Sequence, residues 1–308
     1  MRIFVTGASG FIGSAVVPEL LQAGHQVTGL ARSDASAEAI RAAGADVLRG
    51  DLTDVASLRA GADASDGVIH LGFIHDFANF AHSVAVDRAA IETFGAVLAG
   101  SNRPLLVASG VLGLATGRAA TERDPAPVSH DSIAAPRLAS ARIALSFVER
   151  GVRTVMLRFA PTVHGAGDHG FVPHIIGIAH QRSVSAYIGD GSNRWPAVHR
   201  LDAARVVRLA VESAPAGAAV HAVGEEGVPT RAIAETIGRR LNLPVRSIQP
   251  GEATEHFGWM AGFFGMDAPT SNALTREVLG WEPTHPGLLA DLEAHYFQQY
   301  AGAAPTIL

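Results

Sequence analysis

Thr6-Gly7-Ala8-Ser9-Gly10-Phe11-Ile12-Gly13 is the stretch on which the fold turns. Before it stands the apolar, β-branched run Arg2–Val5, which reads as a strand; after it, residues 11–23 read as an amphipathic helix. Each glycine between them has a steric task. Gly7 permits a tight turn, Gly10 lets backbone approach a pyrophosphate, and Gly13 allows close packing of the helix. The helix N-terminus, with Ser9, Phe11 and Ile12 around it, offers free N–H groups and positive dipole to phosphates. A plain glycine-rich turn is the competing reading, and the strand before and helix after weigh against it.

Outward from this loop the first half alternates short strands and longer Ala/Leu-rich helices. Strands are expected at Arg2–Val5, Gln26–Leu30, Asp46–Leu48, Gly67–Leu71, Pro104–Ala108 and Arg153–Arg158. Helices are expected near 11–23, 35–43, 54–61, 77–100 and 135–150. Such alternation implies an α/β fold, a doubly wound parallel sheet with helices on both faces. After about Ala160 the pattern loosens into helices near 171–182, 202–213, 230–242, 252–264 and 286–298, with short strands near 219–222 and 245–248. The expected organisation is a dinucleotide domain over 1–160, to which part of 195–225 returns, and a smaller, mainly helical substrate lobe over 161–308.

Composition narrows the function classes. The chain has 308 residues, is 48% hydrophobic and carries a net charge of −5, which disfavours nucleic acid as the main partner. Cysteine is absent, so disulfides and thiolate chemistry are excluded, which fits a cytoplasmic enzyme; no metal site is assigned. No apolar run reaches a membrane span, and MRIFVTGASGFIGSAVV is too interrupted by glycine and serine for a signal peptide. All 24 basic Lys/Arg positions are arginine. Without lysine, Schiff-base chemistry and any Tyr/Lys catalytic pair are ruled out.

At the end of the second strand, where NAD enzymes carry an acidic residue, stand Arg32 and Ser33. This pair suits a 2′-phosphate and points to NADP(H); an ordinary surface arginine is the alternative. Asp51 follows the third strand and faces the adenine on one reading, or caps a helix on the other. Leu52, Leu71 and Gly72, at neighbouring strand ends, are counted with the cofactor wall.

TGxxGxxG at 6–13, GDLTD at 50–54, LLVASG, VMLRFAPTVHG at 155–165, GDG at 189–191 and AVHRLDAARVV at 197–207 together resemble the short-chain dehydrogenase/reductases of the extended, nucleotide-sugar-epimerase-like type. The resemblance covers nearly all of the chain. It implies hydride transfer from a nicotinamide, a Tyr-x-x-x-Lys pair on the helix after the fifth strand, and a Ser or Thr at that strand's end. Ser109 matches the last. The pair falls on Ile133 and Arg137, a double departure: Ile133 donates no proton, while Arg137 can bond ribose hydroxyls and hold positive charge. Candidates for the missing acid are His75, Asp76, His130 and His164, each equally readable as a surface or core residue. Pro161, Thr162 and Val163 match the segment that lines the nicotinamide, whereas His199 and Asp202 match a motif that ties the lobes. Trp195, Phe257, Trp259, Phe263 and Phe264 either wall an apolar substrate pocket or form lobe core. A homodimer through the helices near 77–100 and 135–150 is also implied by the resemblance.

The expectation is an NADPH-dependent oxidoreductase reducing a small, apolar carbonyl or imine compound with a non-standard proton donor. A non-catalytic NADP(H)-binding sensor or scaffold is the alternative. A nucleotide-sugar epimerase or dehydratase, which needs the Tyr/Lys pair, comes third.

Overall fold

A computed structural model describes residues 1–76, 79–125 and 135–298. Its centre is a seven-stranded, all-parallel sheet built from β1 (Arg2–Thr6), β2 (Gln26–Ala31), β3 (Asp46–Arg49), β4 (Gly67–His70), β5 (Pro104–Gly110), β6 (Arg153–Phe159) and β10 (Ala219–Ala222). The spatial order is β10-β6-β5-β4-β1-β2-β3. Parallel strands need cover on both faces, and α1 (Gly13–Gln22), α2 (Asp34–Ala42), α3 (Val55–Asp63), α4 (Phe80–Leu98), α5 (Ala135–Ser146) and α7 (Arg200–Ser213) supply it. Ile3, Phe4, Val5, Ile69 and Leu106 are accordingly sealed from solvent.

The chain order reverses between β1 and β4. In such sheets the crevice outside the strands' carboxyl ends at the reversal receives the ligand. Thr6 ends β1 and His70 ends β4, so the quoted loop opens at that crevice.

The second core belongs to the later part of the chain. A three-stranded sheet orders β11 (Glu225–Pro229), β9 (Arg194–His199) and β7 (Thr162–His164); β8 (Ser185–Ile188) pairs with β12 (Val245–Ile248). Around them lie α6 (Phe171–Arg182), α8 (Thr230–Leu241), α9 (Ala253–Phe257), α10 (Ala261–Phe264), α11 (Ala273–Leu279) and α12 (Leu288–His295). Strands β7, β8, β9 and β11 and helix α11 go beyond the sequence expectation. The single helix expected over 252–264 is broken, because Gly258 adopts φ +58° and forces the chain out of the right-handed helical region. Among the described residues no helix is long and apolar enough to cross a membrane.

Candidate functional site

The glycine loop is held from beneath. Gly7 has φ +70°, and a Cβ on it would lie 2.7 Å from the Gly72 nitrogen. A Cβ on Gly13 would meet the Gly7 carbonyl oxygen at 2.0 Å, so α1 closes on the loop as only glycine permits. The Gly10 N–H donates to the Gly7 carbonyl at 3.0 Å, which makes the turn. Ser9 and Gly10 are exposed, Phe11 and Ile12 half-buried. No side chain caps α1 at Ile12; the Ser14 and Ala15 N–H groups donate to the Gly10 and Ile12 carbonyls, while those of Phe11, Ile12 and Gly13 have no acceptor among the described residues and are left for an anion. This cradle fits the diphosphate of a dinucleotide.

Thr6 and His70 support the crevice floor. Thr6 Oγ1 lies 2.6 Å from His70 Nδ1 and accepts the Gly72 N–H at 3.1 Å; the Leu71 N–H donates to the Thr6 carbonyl. Leu52 reaches the same place, 3.3 Å from where a Gly72 Cβ would stand.

At the ends of β2 and β3 the charges sort themselves. Ser33 caps α2, its hydroxyl accepting the Ser36 N–H at 3.2 Å in a reciprocal capping box, so its oxygen is already engaged. Asp34 pairs with Arg49 at 3.1 Å. Arg32 is exposed and has no ion-pair partner among the described residues. Asp51 is not the helix cap: its Oδ1 accepts from the Thr53 N–H and hydroxyl, both at 2.9 Å, and Asp54 caps α3 instead. An aspartate three residues further on has the spacing to reach the first free amides of α3.

Ser109 lies on β5 opposite Arg158 of β6. It is buried, and its Oγ has no hydrogen-bond partner among the described residues. A burial pattern cannot reveal an orphaned hydroxyl, so the sequence alone gave Ser109 only its place. Arg137 falls on the first turns of α5, but its side chain, like all of His130 and Ile133, lies outside the described residues. His75 is exposed, its ring edge-on to Phe73 at 5.3 Å between centroids. His164 is deep in the second core, its Nδ1 2.8 Å from Asp291 Oδ2.

Pro161 precedes β7; Val163 is half-buried, and the Thr162 hydroxyl donates to the Pro196 carbonyl. Beyond β7 the chain is anchored to α12. The Gly165 N–H donates to the Tyr296 hydroxyl at 3.1 Å, which in turn donates to Asp168 at 2.7 Å. Burial raises both the Asp168 carboxyl and the Tyr296 phenol above their ordinary ranges. The motif at 197–207 is tied to the loop before α12. Asp202 accepts from the Thr284 and His285 N–H groups at 3.0 and 2.9 Å, and from the His285 ring. Burial pushes that carboxyl up, but these bonds outweigh it and leave it below its usual range. His199 caps α7 and is pushed down, mainly by burial and then by His164.

Of the five aromatics, Trp195, Phe257, Phe263 and Phe264 are lobe core. Trp259 alone is exposed, against Phe171 and His174. Sequence reading missed Arg200, whose guanidinium lies over the Phe11 ring at 5.3 Å.

A sequence model of the NAD dependent epimerase/dehydratase family matches residues 3–224. The chain is 49% identical over 293 residues to an uncharacterized protein of Schizosaccharomyces pombe, covering 95% of this chain and 98% of that one. It is 30% identical over 235 residues to a 2-alkyl-3-oxoalkanoate reductase of Stenotrophomonas maltophilia, with 71% and 68% covered. In fold it resembles a dTDP-glucose 4,6-dehydratase of Streptomyces venezuelae, at a TM-score of 0.77, 20% identity and 98% of each chain.

Proposed function

The chain belongs to the NAD dependent epimerase/dehydratase family, and on that premise we propose that it is an NADP(H)-dependent oxidoreductase reducing a small, apolar carbonyl or imine compound. The buried Ser109 hydroxyl, without a partner among the described residues, carries this reading. A polar group left unbonded in a protein interior costs about 1–3 kcal/mol. Its place near the carboxyl end of a central strand turns it toward the crevice where a substrate can supply the acceptor.

The residues divide the work as follows. The Gly7–Gly13 cradle holds the diphosphate, and Arg32 supplies the charge for a 2′-phosphate where Asp34 is already paired with Arg49. Pro161, Thr162 and Val163 back the nicotinamide, which when reduced supplies the hydride. Ser109 donates its O–H to the carbonyl oxygen or imine nitrogen. Arg137, always charged, bonds ribose hydroxyls and stabilises the developing anion. His75 and His130 are the proton-donor candidates, replacing a tyrosine. The Stenotrophomonas relative is by name a reductase of a 2-alkyl-3-oxoalkanoate, which supports a ketone with an alkyl substituent.

NADPH oxidation against a panel of ketones, aldehydes and imines, with a nucleotide sugar included as the third reading, tests the assignment. Turnover of at least one apolar carbonyl or imine is expected, falling about tenfold to a hundredfold in Ser109→Ala. The absence of lysine favours one other reading, a non-catalytic NADP(H)-binding protein. Tight NADPH binding with silence across the panel would select it.

A further inference from the structure

Helices α1 and α7 pack side by side. Arg208 Nε donates to Glu19 Oε1 at 2.7 Å, and eight residues earlier in each segment Arg200 lies over Phe11, which stands two residues before α1 begins. The equal offset means that the helices run parallel, with the start of α7 level with the end of the loop that leads into α1. Arg200, the first residue of α7, is thereby delivered from the second half of the chain to the rim of the glycine cradle.

Apart from the Phe11 ring, its charge has no partner among the described residues. Arg205 pairs with Asp202, and Arg208 with both Glu19 and Glu212. Arg200 has no ion-pair partner among the described residues, although it is half-buried. A cation in a helix's first turn opposes the helix dipole, so this is a poor place for an arginine whose task is only to stabilise the fold. The stem is nevertheless held firmly. A Cβ on Gly165 would lie 3.1 Å from Arg200 Cγ and Cδ, and Gly165 is itself pinned by Tyr296. The guanidinium is thus pre-positioned between the Gly165 loop and the Phe11 face, beside the amides already assigned to the diphosphate.

We propose that Arg200 is the second wall of the cofactor site, a cation that neutralises the dinucleotide's diphosphate opposite the Phe11–Gly13 amides. This rests on the dinucleotide reading of the cradle but not on the choice between NADP(H) and NAD(H). A fork-shaped donor suits two diphosphate oxygens better than a point charge does.

The test is calorimetric titration of the full-length protein and of Arg200→Met, Arg200→Lys and Arg32→Ala with NADPH, NADH and adenosine 2′-monophosphate. Arg200→Met keeps the stem and removes the charge. It is expected to weaken NADPH and NADH by similar factors, about tenfold, and to leave adenosine 2′-monophosphate, which lacks the diphosphate, unchanged. Arg200→Lys should recover part of the loss. The slope of affinity against salt should also become shallower in Arg200→Met, since one cation–phosphate contact is gone. Unchanged affinity for both dinucleotides in Arg200→Met would overturn the proposal. So would equal loss of all three ligands, because that marks a disturbed fold rather than a lost phosphate contact. If Arg32→Ala leaves NADPH binding intact while Arg200→Met weakens it, the 2′-phosphate reading fails and the diphosphate wall stands.

Discussion

Thr6 and His70, both sealed from solvent, meet at 2.6 Å across the reversal in strand order. Thr6 Oγ1 accepts the Gly72 N–H and is hydrogen-bonded to His70 Nδ1, and the ring's Nε2 stands 3.3 Å from Asp87 on α4. Thr6→Val keeps the shape and strips both bonds. It is expected to cost about 1–3 kcal/mol in urea unfolding, with Thr6→Ser recovering most of the loss.

Gly13→Ala tests the cradle. Its Cβ would stand 2.0 Å from a carbonyl oxygen of the loop, a backbone atom that cannot swing aside. A loss of about 1–3 kcal/mol of stability is expected from overpacking. The displaced loop should also abolish measurable NADPH binding at concentrations that saturate the parent.

Arg32→Ala should raise the NADPH Kd about tenfold while changing the NADH Kd less than twofold, if one charge-assisted phosphate bond is lost. Parallel calorimetric titrations with the two cofactors measure it.

His221 gives the protein an acid limit. It is fully buried, donating from Nδ1 to the Ser271 carbonyl at 2.8 Å, with Arg158 Nη1 3.4 Å from Nε2. Burial, joined by the Arg158 charge, lowers its pKa from 6.5 to about 4. The unfolded chain therefore binds the proton more readily, and stability present above pH 6.5 drains away as pH falls from there toward 4. Urea unfolding should lose up to about 2 kcal/mol between pH 7 and pH 5 from this group. His221→Gln keeps a donor and an acceptor without titrating, and should flatten that part of the profile.

Periodicity made the sheet legible because each of its strands is a short apolar run between helices with stripes of their own. Helix α6 falls on the residues that periodicity marked, 171–182. Strands β7 and β9 escaped because three to six residues carry too little pattern, and their partners are more than thirty positions away. The glycine loop was readable since its steric demands are local. Arg200 was not, because its significance lies in the eight-residue offset between two helices that are distant in sequence. Asp51 and Asp54 show the same limit at close range: both residue types suit a cap, and only the backbone decides.

The His164–Asp291 pair and the Gly165–Tyr296 bond fasten the segment after β6 to residues more than 125 positions downstream. A growing chain therefore finishes the phosphate cradle early, whereas the segment after β6 keeps a buried histidine without its carboxylate until α12 has been made. Emergence from the ribosome thus imposes an order on assembly. A half-synthesised chain can fold its first strands around the glycine loop, but it cannot close the far side of the crevice. The far wall of the crevice is therefore a long-range structure, complete only when residues on both sides of these links are present.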